Sequence, residues 1–318
     1  MYFMNSILIT GGAGQLGSAL AAKLSQDPTN LIVVVDNLST GNIIKVPKAP
    51  NIVFIKADVN NYNDIVPIFG RYGFDYVFHY AAVVGVRRTL EAPIDVLNDI
   101  EGIKNILSIS KNSGVKRVFY SSSSEVYGEP LEVPQNELTT PLNSRLPYAI
   151  VKNVGEAFFR SYQKDYGLDY TIFRFFNTYG PHQSEDFVVP RFVKAALYGA
   201  PLSIYGDGKQ TRSFCYVDDN VDTCANALKY DVFVNDVLNI GNDIEISILE
   251  LAQTVIDVCN SKSEIIMLPA LKEGDMRRRC PDNSKMKRLL NRDLLPLEQG
   301  LKNMVEMYKN DVFVLNDK

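Results

Sequence analysis

Histidine is nearly missing from this chain, with only His79 and His182 among 318 residues. The four cysteines, Cys215, Cys224, Cys259 and Cys280, are scattered and form no C-x-x-C pair. Neither a zinc site nor a disulfide framework is expected, and four separate thiols fit a reducing cytosol. No charge of one sign dominates, since 33 Lys and Arg stand against 37 Asp and Glu. A formal net charge of −4 offers no general attraction to nucleic acid or an anionic membrane, although a local basic patch can still hold a phosphate. No apolar run approaches transmembrane length, and the first strand pattern follows Met1 too closely for a basic segment and apolar leader. A cytoplasmic protein is expected. Repeats, low-complexity tracts and flexible linkers are also lacking.

What is present suffices for a large core in two lobes, at 46% hydrophobic and 22% charged residues. Apolar runs near 6–10, 31–36, 52–57, 75–80, 115–121 and 169–176 alternate with amphipathic segments near 15–26, 62–72, 90–113 and 147–167. That rhythm predicts βαβ units and an α/β fold, a Rossmann-type doubly wound parallel sheet over residues 1–176. After residue 176 the rhythm changes, with Pro181, Pro190 and Pro201, strands around 202–205 and 212–217, and helices near 218–230, 247–260 and 297–310. Residues 177–318 read as a smaller α+β substrate lobe. The run 236–241 looks like one more sheet strand, so about 212–244 is expected to return partly to the first lobe.

The run Ser6 to Gly17 passes from apolar strand into glycines and then into a helical pattern. Gly11, Gly14 and Gly17 have the spacing of a tight turn that leaves backbone N–H groups and a helix N-terminus facing a pyrophosphate. About twenty residues on, Leu31 to Val35 ends in Asp36, a carboxylate suited to the adenosine ribose hydroxyls. It would repel a 2′-phosphate, and no Lys or Arg follows before Lys45, so NAD is favoured over NADP. Gln15, Leu16 and Asn37 join this expected cofactor site. In such a sheet ligands gather at the carboxyl ends of the strands, here Asp36, Asp58 with Val59, Ala81 with Ala82, Ser121 to Ser124, and Asn177.

Tyr148 and Lys152 are spaced by four at the start of a predicted helix, on one face. A second such pair, Tyr205 and Lys209, spans two glycines and is read as chance. Only the first follows a serine-rich strand end, Ser121 to Ser124. A nearby ammonium and the positive ring of NAD⁺ would stabilise a Tyr148 phenolate as general base. Lys152 would also hold the nicotinamide ribose, with Ser123 bonding the same substrate oxygen.

With these pieces the chain resembles the extended short-chain dehydrogenases/reductases, the group of nucleotide-sugar epimerases, dehydratases and decarboxylases. Also matching are Asp58-Val59, His79 to Ala82, Asn98, Arg174 to Pro181 and Gly206 to Asp219. The resemblance implies an NAD-dependent enzyme that oxidises C4 of a nucleotide sugar. It implies an adenine contact at Asp58-Val59, a cofactor wall at His79 to Ala82 and helix support from Asn98. Asn177 and Arg212 would hold the substrate diphosphate, as amide and guanidinium donors can. For Arg212 the structural alternative is an ion pair with Asp218 or Asp219. Within Arg277 to Arg279, Arg279 matches a sugar-site arginine, whereas three adjacent cations otherwise suit a solvated face. Arg87 and Arg88 are read either as substrate-selecting or as part of a solvated loop.

Oxidation at C4 opens several fates. Dehydratase-like chains carry an acid where this one has Ser124, which argues against dehydration. Ser124-Glu125 resembles the Ser-Glu of UDP-glucuronate decarboxylases, but the segment from Leu146 to Lys152 lacks their acidic pattern. Glu125 also occurs in relatives that epimerise. The expectation is 4-epimerisation, with decarboxylation and release of a 4-keto sugar as alternatives. A catalytically silent NAD-binding scaffold is opposed by the intact Ser123, Tyr148 and Lys152. Apolar residues on helices 90–113 and 147–167 suit the homodimer that the resemblance implies, although core packing explains them equally.

Overall fold

The computed structural model describes residues 4–85, 89, 91–270 and 276–316. The chain begins with β1 (Asn5–Thr10), α1 (Gln15–Leu24), β2 (Asn30–Asp36), β3 (Ile52–Lys56), α2 (Tyr62–Tyr72), β4 (Tyr76–His79), α3 (Pro93–Asn112), β5 (Arg117–Ser123), α4 (Pro147–Tyr166) and β6 (Asp169–Phe175). Then come β7 (Thr178–Tyr179), α5 (Val188–Leu197), β8 (Leu202–Tyr205), β9 (Thr211–Ser213), β10 (Cys215–Tyr216), α6 (Val217–Lys229) and β11 (Asp236–Ile240). The chain finishes with β12 (Glu245–Ser247), α7 (Ile248–Cys259), β13 (Ile265–Leu268), α8 (Ser284–Leu290) and α9 (Leu297–Asn316).

Seven strands form one parallel sheet in the order β11-β6-β5-β4-β1-β2-β3. The order reverses between β1 and β4, and the crevice outside such a reversal is where doubly wound sheets receive ligands. Residues alternate between two cores: Ile7, Ile9, Ile32 and Val34 on one face, Leu8, Val33, Val35 and Val77 on the other. Burial of both faces explains the unbroken apolar strands. β11 joins β6 in parallel, as the 236–241 run predicts.

One expectation for the second half is corrected and one helix is added. The single strand foreseen over 212–217 is two, because β9 pairs antiparallel with β12 while β10 pairs with β7. The buried Phe214 sits at the switch. The helix α5 was not among the helices expected there; Pro190 lies in its first turn, where its missing N–H breaks no intrahelical bond. Among the described residues no helix is long and apolar enough to cross a membrane.

Gly11 has φ +68°, and a Cβ there would meet Ala81 N at 2.6 Å and Tyr80 C at 2.7 Å. Gly11→Ala is therefore expected to cost about 2 kcal/mol or more in denaturant unfolding, from left-handed strain and backbone overlap together, and to abolish NAD binding. Calorimetric titration with NAD checks the second outcome.

Candidate active site

The floor of the site is stitched by Thr10, the last residue of β1. Its hydroxyl accepts from Tyr80 N and Ala81 N, each at 3.2 Å, and bonds His79 Nδ1 at 2.9 Å. Burial, helped by the field of Lys152, pushes His79 down to about 3, so this histidine is a neutral structural residue. Gly11 turns the chain against Ala81, and at Gly17 a Cβ would lie 2.4 Å from Gly11 O. These contacts seat the N-terminus of α1 at the crevice.

A cleft of about 410 Å³ opens there, within the usual range for small-molecule sites. It is lined by Gly11, Gly14, Gln15, Leu16 and Gly17, by Asp36 and Asn37, and by Asp58, Val59, Ala81 and Ala82. The buried Asp36 carboxylate accepts from Ala13 N at 3.0 Å and Leu38 N at 2.8 Å, which fixes it at the end of β2. Asn37 Nδ2 donates to Asp58 Oδ2 at 3.1 Å, joining the ends of β2 and β3. A glycine turn without space for side chains, a helix N-terminus and an oriented carboxylate fit a dinucleotide.

The other end of the same cleft holds Ser123, Ser124, Glu125, Tyr148, Lys152, Asn177 and Arg279. Pro147 starts α4, so Tyr148 and Lys152 lie one turn apart on its first face. Gly155 brings this helix onto β5, since a Cβ there would meet the Tyr120 hydroxyl oxygen at 2.2 Å. Lys152 is only 3% exposed, with Nζ 3.5 Å from Ser121 Oγ and 5.6 Å from the Tyr148 ring centre. Burial brings it down to about 8, opposed by the charge of Asp99.

The expected lowering of Tyr148 by Lys152 needs correction. Burial pushes the phenol up, and Glu125 and Asp99 add to that, whereas a hydrogen bond with Ser123 and the charge of Arg279 act the other way. Burial, with the nearby carboxylates, thus holds the phenol protonated; a lowered value needs a cation brought in with the cofactor.

The three adjacent arginines divide. Arg278 pairs with Glu245 at an exposed site and Arg277 is exposed, as a solvated face predicts. Arg279 turns inward, buried, with Nη1 2.9 Å from Glu125 Oε1. Asn177, at φ +31°, donates from Nδ2 to Ser213 O at 3.0 Å. Arg212 is not brought to this cleft: it is buried on β9 and donates from Nη1 to Thr211 O at 2.7 Å. Its alternative partner Asp219 is bonded by Arg292 Nη1 at 2.5 Å. Asn98 is exposed on α3 and does not line the cleft; its neighbour Asp99 does. Arg87 and Arg88 lie outside the described residues. Lys45, also missed by motif reading, lines the cleft and donates to His182 O at 2.8 Å.

Beneath the site runs a buried network. Glu156, one turn beyond Lys152 on α4 and 0% exposed, accepts from Ser122 Oγ at 2.6 Å and from Arg174 Nε and Nη2 at 2.8 and 2.7 Å. Arg174 Nη1 donates to Tyr127 Oη at 2.8 Å, and Tyr127 donates to Asn239 Oδ1 at 2.7 Å. Ser122, Arg174 and Asn239 are neighbours in register across β5, β6 and β11. One two-pronged ion pair therefore locks the helix of Tyr148 and Lys152 to three strands.

Strand reversal, glycine turn and oriented acid define the class, a dinucleotide-binding α/β enzyme. The chain belongs to the NAD dependent epimerase/dehydratase family, which matches residues 7–241, and is an extended short-chain dehydrogenase/reductase with NAD as cofactor. It is 36% identical, over 95% of its length and 97% of the relative, to the UDP-N-acetyl-alpha-D-glucosaminuronate decarboxylase of Bacillus cytotoxicus. Identity to UDP-glucuronic acid decarboxylase 6 of Arabidopsis thaliana is 35%, over 95% of this chain and 88% of that one. The solved UDP-glucose 4-epimerase of Thermotoga maritima, with UDP-glucose, superposes at TM-score 0.91 and 32% identity, covering 96% of this chain and 99% of the other.

Breaking the network from one side should be costly. Arg174→Met is expected to lose about 3–5 kcal/mol in urea unfolding, because it strands the Glu156 carboxylate in the core. Burial alone would raise Glu156, but the Arg174 guanidinium outweighs it and the carboxyl sits below its ordinary value of 4.5. The pair's contribution is thus present above the unfolded-state value and is lost as pH falls toward the depressed folded one. Wild-type stability should fall through this acid window more steeply than that of Glu156→Gln.

Proposed function

We propose that this protein is a nucleoside-diphosphate-sugar 4-epimerase. The observation that carries the reading is the meeting of Ser123, Tyr148 and Lys152 in one cleft with the glycine turn and Asp36. Bound NAD would accept the C4 hydride and return it. Tyr148 takes the C4 hydroxyl proton as the ketone forms, and gives it back to the same oxygen when, the sugar having turned, hydride would return to the opposite face of C4. Ser123 bonds the same oxygen, and the Lys152 ammonium supplies positive charge beside the phenolate.

The Glu125–Arg279 pair favours a neutral hexose over a uronate. Arg279 is already balanced by Glu125 at 2.9 Å, and a sugar carboxylate would add a second negative charge beside Glu125. Decarboxylation of a uronate is the second reading, favoured by the buried Arg279 guanidinium in the same cleft as Tyr148 and by the decarboxylases among the relatives. There Arg279 would leave Glu125 for the C6 carboxylate, and the 4-ketone would accept the electrons released with CO₂. Ser124, where dehydration needs an acid, speaks against that third fate. Asn177, which lines the cleft, would hold the diphosphate; Arg212 is buried on the neighbouring β9 and does not line it. We also place the protein in the cytoplasm as a homodimer, with Ile94 and Leu97 of α3 and Ile150 of α4 offering exposed apolar side chains.

Incubation with UDP-glucose, UDP-N-acetylglucosamine and their uronates, with product mass and NADH absorbance followed together, tests the reading. An isomer of unchanged mass without net NADH is expected. CO₂ loss from a uronate would replace epimerisation by decarboxylation, and two hydrogens lost with NADH retained would leave a simple dehydrogenase. Tyr148→Phe should abolish turnover while NAD affinity, measured by calorimetry, stays within a few-fold; an active Tyr148→Phe enzyme would exclude the proposed base.

A further inference from the structure

The motifs directed attention to Asn98, but the residue that enters the cleft is the next one. Asp99, on α3, accepts from Val83 N at 2.7 Å through Oδ2 and lines the same cleft as Tyr148 and Lys152. Lys152 needs an opposing charge. Its ammonium has three N–H bonds, yet among the described residues it makes a single hydrogen bond, the 3.5 Å contact with Ser121 Oγ. Otherwise it lies over the rings of Tyr120 and Tyr148, at 5.1 and 5.6 Å from their centres. A cation so enclosed sheds its proton readily unless an anion stands near.

We propose that Asp99 is a positioning residue for the reaction, its carboxylate being the fixed counter-charge of the Lys152 ammonium at the buried end of the cleft. The proposal rests on reading Tyr148 as the base and Lys152 as its cation. An amide at position 99 would accept from Val83 N equally well, so what the carboxylate adds is charge.

The groups around the pair come from every neighbouring element. His79 of β4 is neutral, and Tyr120 of β5 is held protonated by burial and by Glu156, Tyr148 and Asp99. Asp58, after β3, adds negative charge beside Asp99; Glu125 and Arg279 act on Tyr148 with opposite signs. Burial raises Asp99 itself, whereas the Val83 N–H and Lys152 favour its ionised form. Asp99 acts in one direction on both partners, keeping Lys152 charged and Tyr148 protonated.

The test is Asp99→Asn in the full chain labelled with ¹³C at lysine Cε. The Lys152 signal is assigned by its loss in Lys152→Met and titrated by NMR between about pH 6 and pH 10. A midpoint near 8 in the unaltered chain should fall by about half a unit to one unit in Asp99→Asn, and Asp99→Glu should restore it. An unmoved or raised midpoint in folded Asp99→Asn overturns the proposal. If that variant does not fold, the same titration of Asp99→Ser decides, with the same two outcomes. The measurement needs no turnover, so it stands apart from the choice of substrate. Where turnover is found, both limbs of the pH–rate profile should move to lower pH together in Asp99→Asn. Loss of height without movement would mark a structural residue and also overturn the proposal.

Discussion

Two backbone segments, Gly11 after β1 and Tyr80 to Ala81 after β4, approach so closely that even a methyl group at position 11 has no place. That contact lies at the reversal of strand order, and the rest of the site is hung from it. It lets the chain turn within three residues of leaving the sheet. The N-terminus of α1 then faces the crevice, with Asp36 on one side and the ends of β4 and β5 on the other. Thr10 fastens the seam with one hydroxyl that serves three partners. A looser seam would leave Asp36 and Tyr148 as isolated residues on separate strands and helices.

The second constraint is charge in a place with little water. Lys152, Glu125 and Arg279 are drawn into the same cleft, and Glu156 and Arg174 lie buried below it. Isolated charges there would be prohibitively costly, so each is matched. Glu156 takes two prongs of Arg174, Glu125 takes Arg279, and Lys152 stands in the field of Asp99. The structural pair is rigid and fully bonded. The pair in the cleft is looser: among the described residues Glu125 Oε2 and Arg279 Nε each lack a bonding partner, which suits groups that must also face a ligand.

Much of this was legible beforehand for identifiable reasons. The strands of the sheet read clearly because burial on both faces makes them continuous apolar runs. Tyr148 and Lys152 could be told from Tyr205 and Lys209 because glycines at 206 and 208 disfavour a helix, and β8 indeed ends at Tyr205. Legibility failed where neighbours in the chain have different partners in space. Nothing local separates Asn98 from Asp99, or Arg279 from Arg277 and Arg278. The split of β9 from β10 depends on β12 and β7, which lie on opposite sides of it in sequence. The helix α5 was hidden by Pro190, whose effect depends on its place in the first turn.

The sequence by itself determined the α/β architecture, the glycine turn, the acid at the end of β2 and the helix that carries Tyr148 and Lys152. Each of these is written in spacing over a few residues, where sterics and periodicity act locally. Tertiary structure alone decided which arginine meets Glu125, that Arg212 does not line the cleft, and that Asp99 lines it together with Lys152. Those outcomes are contacts between segments tens of residues apart, set by how helices and strands pack around the seam. Local pattern carries no information about such partners, because the cost of burying a charge is settled only by what the folded chain places beside it.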